Sequence, residues 1–312
     1  MTKFKSILRC LISILALQRK RNCERIKTAG ISISTKRPEP AMERIQITHP
    51  IPPLYDENSE LLILGSFPSV KSREAAFFYG HPQNRFWRVL AALYGESVPQ
   101  TITEKKEMLA RRHVALWDVI ASCSIVGSSD SSIRDVVAND LRPILRCSRI
   151  DRIYANGGTA ARLYHKYIEP QLGIPAVCLP STSPANAAWT MEMLTAPWRR
   201  ITVPFGRSVS VAVDRPLGSR HPEHPDLVYP VNYGYVPGVT APDGEEQDAY
   251  LLGVDTPVER YCGVVLGAVH RLDDVEDKWI VTPEGCSFTA EEIREKLHFQ
   301  EQFFRSELWL WK

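Results

Sequence analysis

Short apolar runs alternate with amphipathic stretches over roughly the first two thirds of the chain. Runs at 61–64, 114–119, 152–155 and 176–179 are too short for helices and too continuous for half-exposed strands. They read as fully buried strands. Between them lie segments with apolar positions at helical spacing, at 86–93, 101–112 and 159–167, the second opened by the capping-box pair Thr101 and Glu104. Strand and helix in alternation predict a parallel sheet flanked by helices, with ligands collecting at the strand carboxyl ends. Each predicted strand ends in polar or glycine-rich punctuation, as at Gly65, Asn156-Gly157 and Pro180-Ser181.

Beyond a predicted linker at 198–207 the pattern changes. Short β-rich runs at 209–213, 251–254, 263–269 and 279–281 are divided by Pro and Gly, which suggests a small closed barrel. Thr289 and Glu292 form a second capping box, predicting a terminal helix to about residue 307. The expected fold is therefore α/β, a three-layer αβα parallel-sheet domain at 42–203 followed by an OB-like β-barrel with a C-terminal helix at 204–312.

Charge sharpens this division. Residues 42–205 carry 18 Lys/Arg against 15 Asp/Glu, whereas 206–312 carry 10 against 19. A mildly basic body suits a polyanion and an acidic one suits divalent cations, although either can be no more than solvated surface. The seven cysteines are dispersed singly, which fits reduced thiols in a cytoplasmic protein and excludes a clustered iron–sulfur site. Residues 1–41 hold ten basic and two acidic residues. The apolar run inside them is too short to span a bilayer. They read as a disordered basic extension able to meet nucleic acid, or as sequence upstream of a true start at Met42.

The first chemical signature is Gly65-Ser66-Phe67-Pro68-Ser69 followed by Phe78-Tyr79-Gly80-His81-Pro82-Gln83-Asn84-Arg85-Phe86-Trp87. An apolar strand broken at glycine, then aromatic rings and an asparagine, provides a rigid pocket for a flat ligand. Taken with Asn156-Gly157 and Leu179-Pro180-Ser181-Thr182-Ser183, it resembles the uracil-DNA glycosylase superfamily, in particular its hypoxanthine (deoxyinosine) branch. The resemblance implies hydrolysis of an N-glycosidic bond to a deaminated base flipped out of double-stranded DNA, with no cofactor. Mismatch-specific uracil relatives carry asparagine where this chain has Phe67. The hypoxanthine branch shares the apolar residue, and there the asparagine matching Asn84 is implicated in catalysis. Asn84 is thus the expected catalytic residue, its amide able to hold water or contact the base. The resemblance also implies Gly65, Ser66, Phe67, Phe78, Tyr79, His81 and Asn156 at the base, and Ser181 and Ser183 on phosphate or in the minor groove. Each alone reads as readily as core, turn or helix cap. Leu179 stands where uracil-specific relatives have histidine, which disfavours uracil.

The second signature is Asp243-Gly244-Glu245-Glu246-Gln247-Asp248, after a Tyr229–Tyr235 segment rich in tyrosine. With Val213-Asp214-Arg215 it resembles soluble family I inorganic pyrophosphatase, an OB-type barrel. The resemblance implies Mg²⁺ held by Asp243, Asp248, Asp277 and Asp273 or Asp274. It places Glu245 at the water-activating position, and Arg215, Tyr233 and Arg305 on pyrophosphate. Glu245 replaces the family's aspartate, Phe304 its phosphate-binding tyrosine, and the family's N-terminal ligands have no counterpart here. His221 and His224 read as surface. Two functions therefore stand open. One is a bifunctional hydrolase, with a barrel that also supports homo-oligomers. The other is a glycosylase joined to a degenerate nucleotide-binding or interaction domain. Neither implies a membrane.

Overall fold

The structure is a computed structural model that describes residues 45–127, 129–222, 224 and 226–311. The extension at 1–41 and Met42 lie outside the described residues. Seven strands come first: β1 (Ile45–Thr48), β2 (Leu61–Gly65), β3 (Val114–Asp118), β4 (Ile120–Ile125), β5 (Arg134–Ala138), β6 (Arg152–Asn156) and β7 (Ala176–Leu179). Four of them form a parallel sheet in the order β3-β2-β6-β7, at the positions the apolar runs mark.

Every residue of β2 is buried, which explains its unbroken apolar sequence. Leu61 and Ile63 pack with Phe86, Leu90, Met108 and Trp198 from helices Phe86–Leu93, Ile102–Arg111 and Met191–Trp198. Leu62 and Leu64 face the opposite way, onto Ile153, Leu163 and Tyr164. Strands β1, β4 and β5 form a separate antiparallel sheet, which the sequence reading lacked. Its function is positional: β1 pairs with β4, and the chain beyond it bonds on through the His49 N–H to the Ala121 carbonyl at 2.7 Å. His49 is thereby carried to the end of β3.

The acidic part closes a ring of five strands: β8 (Ser208–Arg215), β9 (Asn232–Thr240), β10 (Glu246–Leu251), β11 (Arg260–Arg271) and β12 (Asp277–Thr282), with β12 pairing both β10 and β11. A sixth strand, β13 (Ser306–Leu310), adds to the edge of β11. Two expectations need correcting. The strand placed at 251–254 is β10, ending at Leu251. The terminal helix stops at Glu301, and 306–310 is strand, because Trp309 is buried against the barrel while Leu308 and Leu310 pack toward its other apolar cluster.

The predicted linker is not a free one. Val203 and Phe205 are 1% exposed and belong to a barrel core with Val211, Leu251 and Trp279. Arg152 donates to the Val203 carbonyl at 2.9 Å, and Gly206 N–H to the Val265 carbonyl at 2.9 Å. The described residues belong to one compact unit. Among them no helix is long and apolar enough to cross a membrane.

Candidate active site

The carboxyl ends of β2, β3 and β6 open into a cleft of about 750 Å³, within the range of small-molecule sites. Gly65, Ser66, Phe67, Phe78, Tyr79, His81, Asn84, Asn156, Ser181 and Ser183, all named from sequence, line this one cleft. Gly157, which caps the helix Gly158–Tyr167, has φ +99°, and a Cβ there would meet the Ser181 Cβ at 2.8 Å. Only glycine lets the 180–186 loop approach so closely.

Thr182, between the two serines the sequence reading favoured, is the hub of the site. It is fully buried. Its backbone N–H donates to Asn156 Oδ1 at 3.0 Å, and its Oγ1 accepts from Asn156 Nδ2 at 2.9 Å. The Thr182 hydroxyl proton then goes to Asn84 Oδ1 at 3.1 Å. Asn84 Oδ1 also accepts the Phe86 N–H at 2.9 Å, at the first residue of the helix Phe86–Leu93, whose cap position is Arg85. Both lone-pair directions of this oxygen are used. Asn84 therefore braces the start of the helix and lines the site at once, and the half of its amide left for a ligand is the Nδ2 donor. Arg85, also unforeseen, holds the loop by donating to the carbonyls of Ser183 at 2.8 Å, Asn186 at 2.9 Å and Trp189.

Tyr79 stacks on Phe86 with centroids 3.9 Å apart and planes 20° from parallel. Its φ of +51° is a strained value for a bulky residue. Burial and the neighbouring Asp118 carboxylate push its phenol well above the ordinary range, so it stays protonated. Phe78 and Phe67 are more deeply buried and form cleft wall. Ser181 and Ser183 accept local backbone N–H groups, which leaves their hydroxyl protons to donate. Two carboxylates missed from sequence also line the cleft. Asp118, at the end of β3, accepts from His49 Nε2 at 2.8 Å. Asp130 accepts from Ser66 Oγ at 3.1 Å, and desolvation within the cleft raises its pKa.

This cleft coincides with a match to the model of the uracil DNA glycosylase superfamily over residues 52–202. A hypoxanthine DNA glycosylase from Methanosarcina acetivorans is 37% identical over 136 residues, which span 43% of this chain and 85% of that protein. The chain belongs to the uracil DNA glycosylase superfamily. A hypoxanthine DNA glycosylase from Methanosarcina barkeri is 40% identical over 89 residues, 28% of this chain and 56% of that protein. The superfamily segment ends just before β8. Over the C-terminal part the solved structures similar to this chain include an inorganic pyrophosphatase from Coxiella burnetii, at 18% identity and TM-score 0.27, covering 35% of this chain and 87% of that one.

The barrel residues named for Mg²⁺ do not converge. Asp243 and Glu245 lie on the exposed β9–β10 turn, where Asp243 accepts the Glu245 N–H. Asp273 accepts from Arg305, and Asp274 from Arg271 at 3.2 Å. Asp277 is buried against His270 at 2.6 Å and Arg199 at 3.2 Å. That is the opposite side of β12 from its neighbour Lys278, as strand alternation requires. Asp248 is bound by Lys278 Nζ at 2.5 Å, with Glu276 at 2.8 Å and the Tyr233 hydroxyl at 2.9 Å around the same ammonium. Glu276, not Asp277, thus faces Asp248. Arg215 folds back on Asp214. Among the described residues no three His, Cys, Asp or Glu side chains form a group able to hold a metal, and His221 lies stacked on Tyr229. Asp248, Asp273, Asp274 and Asp277 are thus each paired with the chain's own basic side chains.

Proposed function

We propose that the 42–203 region is a DNA glycosylase that hydrolyses the N-glycosidic bond of hypoxanthine in double-stranded DNA. The observation carrying this reading is the locked Asn84 amide. In the Asn156–Thr182–Asn84 chain each hydrogen bond fixes the direction of the next, so the Nδ2 donor is aimed before any ligand arrives. Such a donor stabilises charge developing on a leaving purine at no cost in reorganisation. The ring of Tyr79, backed by Phe86, supplies a stacking surface for a flipped base, and the loop at 181–186, clamped by Arg85, meets the strand it left. Purified protein is expected to release free base from a hypoxanthine duplex faster than from a uracil duplex. Asn84→Ala is expected to slow release by about 10²-fold. Absence of base release from either duplex would sink the reading.

For the barrel, the pairing of Asp248 and Glu276 with Lys278 favours a domain without Mg²⁺-dependent hydrolysis, a binding or interaction module attached to a repair enzyme. Pyrophosphate is expected to persist in the presence of Mg²⁺ and the purified protein. Phosphate release that Asp248→Asn abolishes would restore the bifunctional alternative.

A further inference from the structure

The glycosylase reading leaves one requirement without a residue, the activation of water. Asn84 does not meet it, because its oxygen already accepts from Thr182 and Phe86 and its free Nδ2 only donates. Asn156 likewise spends its carbonyl oxygen and an amide proton on Thr182. Phe67, in the strand-end loop, has no polar atom.

Asp118 is differently placed. It is 5% exposed yet lines the cleft, and His49 is its only ionic partner among the described residues. His49 Nδ1 accepts the Ile51 N–H at 3.2 Å, which fixes the tautomer and leaves Nε2–H to donate to Asp118 Oδ2. The imidazole thus orients the carboxylate through one oxygen, and the other, Oδ1, accepts no hydrogen bond from the described residues. Oδ1 lies where a side chain of Gly65 would be, 2.2 Å from the position of a Cβ there. The Tyr79 hydroxyl is 3.5 Å from the same point, buried, with the Asn156 side chain beside it. The free carboxylate oxygen therefore lies against the backbone of Gly65 at the end of β2, a closeness that only glycine permits.

Building on the glycosylase reading, we propose that Asp118, oriented by His49, is the catalytic carboxylate that takes a proton from the attacking water. The water oxygen bonds to C1′ while the C1′–N9 bond breaks and its electron pair leaves on the purine. The water proton passes to Asp118 Oδ1, and the purine is protonated from solvent. Duplex plus water gives abasic duplex plus free base. The negative carboxylate also stabilises the oxocarbenium-like sugar.

The test is single-turnover excision from a hypoxanthine duplex by full-length protein, with duplex affinity measured in parallel. Asp118→Asn is expected to lower the rate by 10²-fold or more with affinity within a few-fold of wild type. Asp140→Asn, an exposed carboxylate paired with Arg142 outside the cleft, is expected to stay within a few-fold in both. Asp118→Ala with added formate restores part of the rate, a response that a merely structural carboxylate does not give. His49→Gln, which keeps the carboxylate but loosens its holder, lowers the rate less. An Asp118→Asn rate within threefold of wild type overturns the proposal and leaves the glycosylase reading intact, as does an Asp118→Ala protein that binds duplex but ignores formate. A wild-type protein without base release overturns both.

Discussion

Lys278 is the sharpest test of the electrostatics described for the barrel. Its side chain is 3% exposed and its ammonium meets Asp248, Glu276 and Tyr233 at once. Lys278→Met keeps most of the stem's packing and removes the one positive charge, among the described residues, that meets both carboxylates, leaving Arg271 3.9 Å from Glu276. Breaking one partner from a buried ion pair costs about 3–5 kcal/mol. Here Asp248 and Glu276 remain 30% and 29% exposed, so water recovers part of that loss. The expected destabilisation is therefore about 2–3 kcal/mol. It is read as the shift in urea unfolding free energy at constant slope. The triple variant Asp248→Asn, Glu276→Gln, Lys278→Met removes the stranded charges with the cation and is expected to recover most of it. Millimolar Mg²⁺ should stabilise the single variant, whose two carboxylates then face each other, and leave wild type unchanged. A loss below about 0.5 kcal/mol, the range of ordinary surface substitutions, would refute the assignment of Lys278 as the internal counter-ion.

Three further outcomes follow from the geometry. Thr182→Val removes the hydroxyl that links Asn156 to Asn84. It should cost about 1–3 kcal/mol in unfolding free energy and slow excision about tenfold as the Asn84 amide loses its fixed direction. Gly65→Ala puts a methyl 2.2 Å from Asp118 Oδ1. It should slow excision without weakening duplex binding, and equal rates would show that the position of Asp118 Oδ1 does not matter. Glu96 would have its pKa raised by burial alone, but hydrogen bonds and charge from Arg111 and Arg112 hold it below the ordinary value. A lowered folded-state pKa contributes stability above the unfolded pKa of about 4.3 and loses it as pH falls. Wild type and Glu96→Gln should therefore differ in stability at neutral pH and converge in acid.

What could be read from the sequence depended on how far apart in the chain the determining contacts lie. Strand β2 was legible because burial on both faces leaves only apolar residues, and the cleft because consecutive motifs carry it. The pairing of Asp118 with His49 spans 69 positions and rests on an antiparallel sheet whose outer strands are largely exposed, so no local pattern announces it. Strand β9 was not marked by the apolar runs, because Gly234, Pro237 and Gly238 interrupt it. Gly234 is required where β8 passes, since a Cβ there would lie 1.9 Å from the Ala212 carbonyl oxygen. The choice between Glu276 and Asp277 was a matter of one residue of register, which sends a side chain to the other face of the strand. Thr182 was visible in its motif, but nothing local separates a hub threonine from the serines beside it.

The burial of Val203 and Phe205 in the barrel governs how this protein can be taken apart. A cut at residue 203 would not free two working pieces. It would strip the barrel of the Val203 side chain, worth about 1.5–3 kcal/mol. It would also take Arg199 from the buried Asp277 and its His270. Repair enzyme and barrel are thus mechanically one object, expected to melt in a single transition and to be lost together to a protease. A barrel without chemistry of its own would still set the lifetime of the glycosylase in the cell, as a clasp does for the thing it fastens.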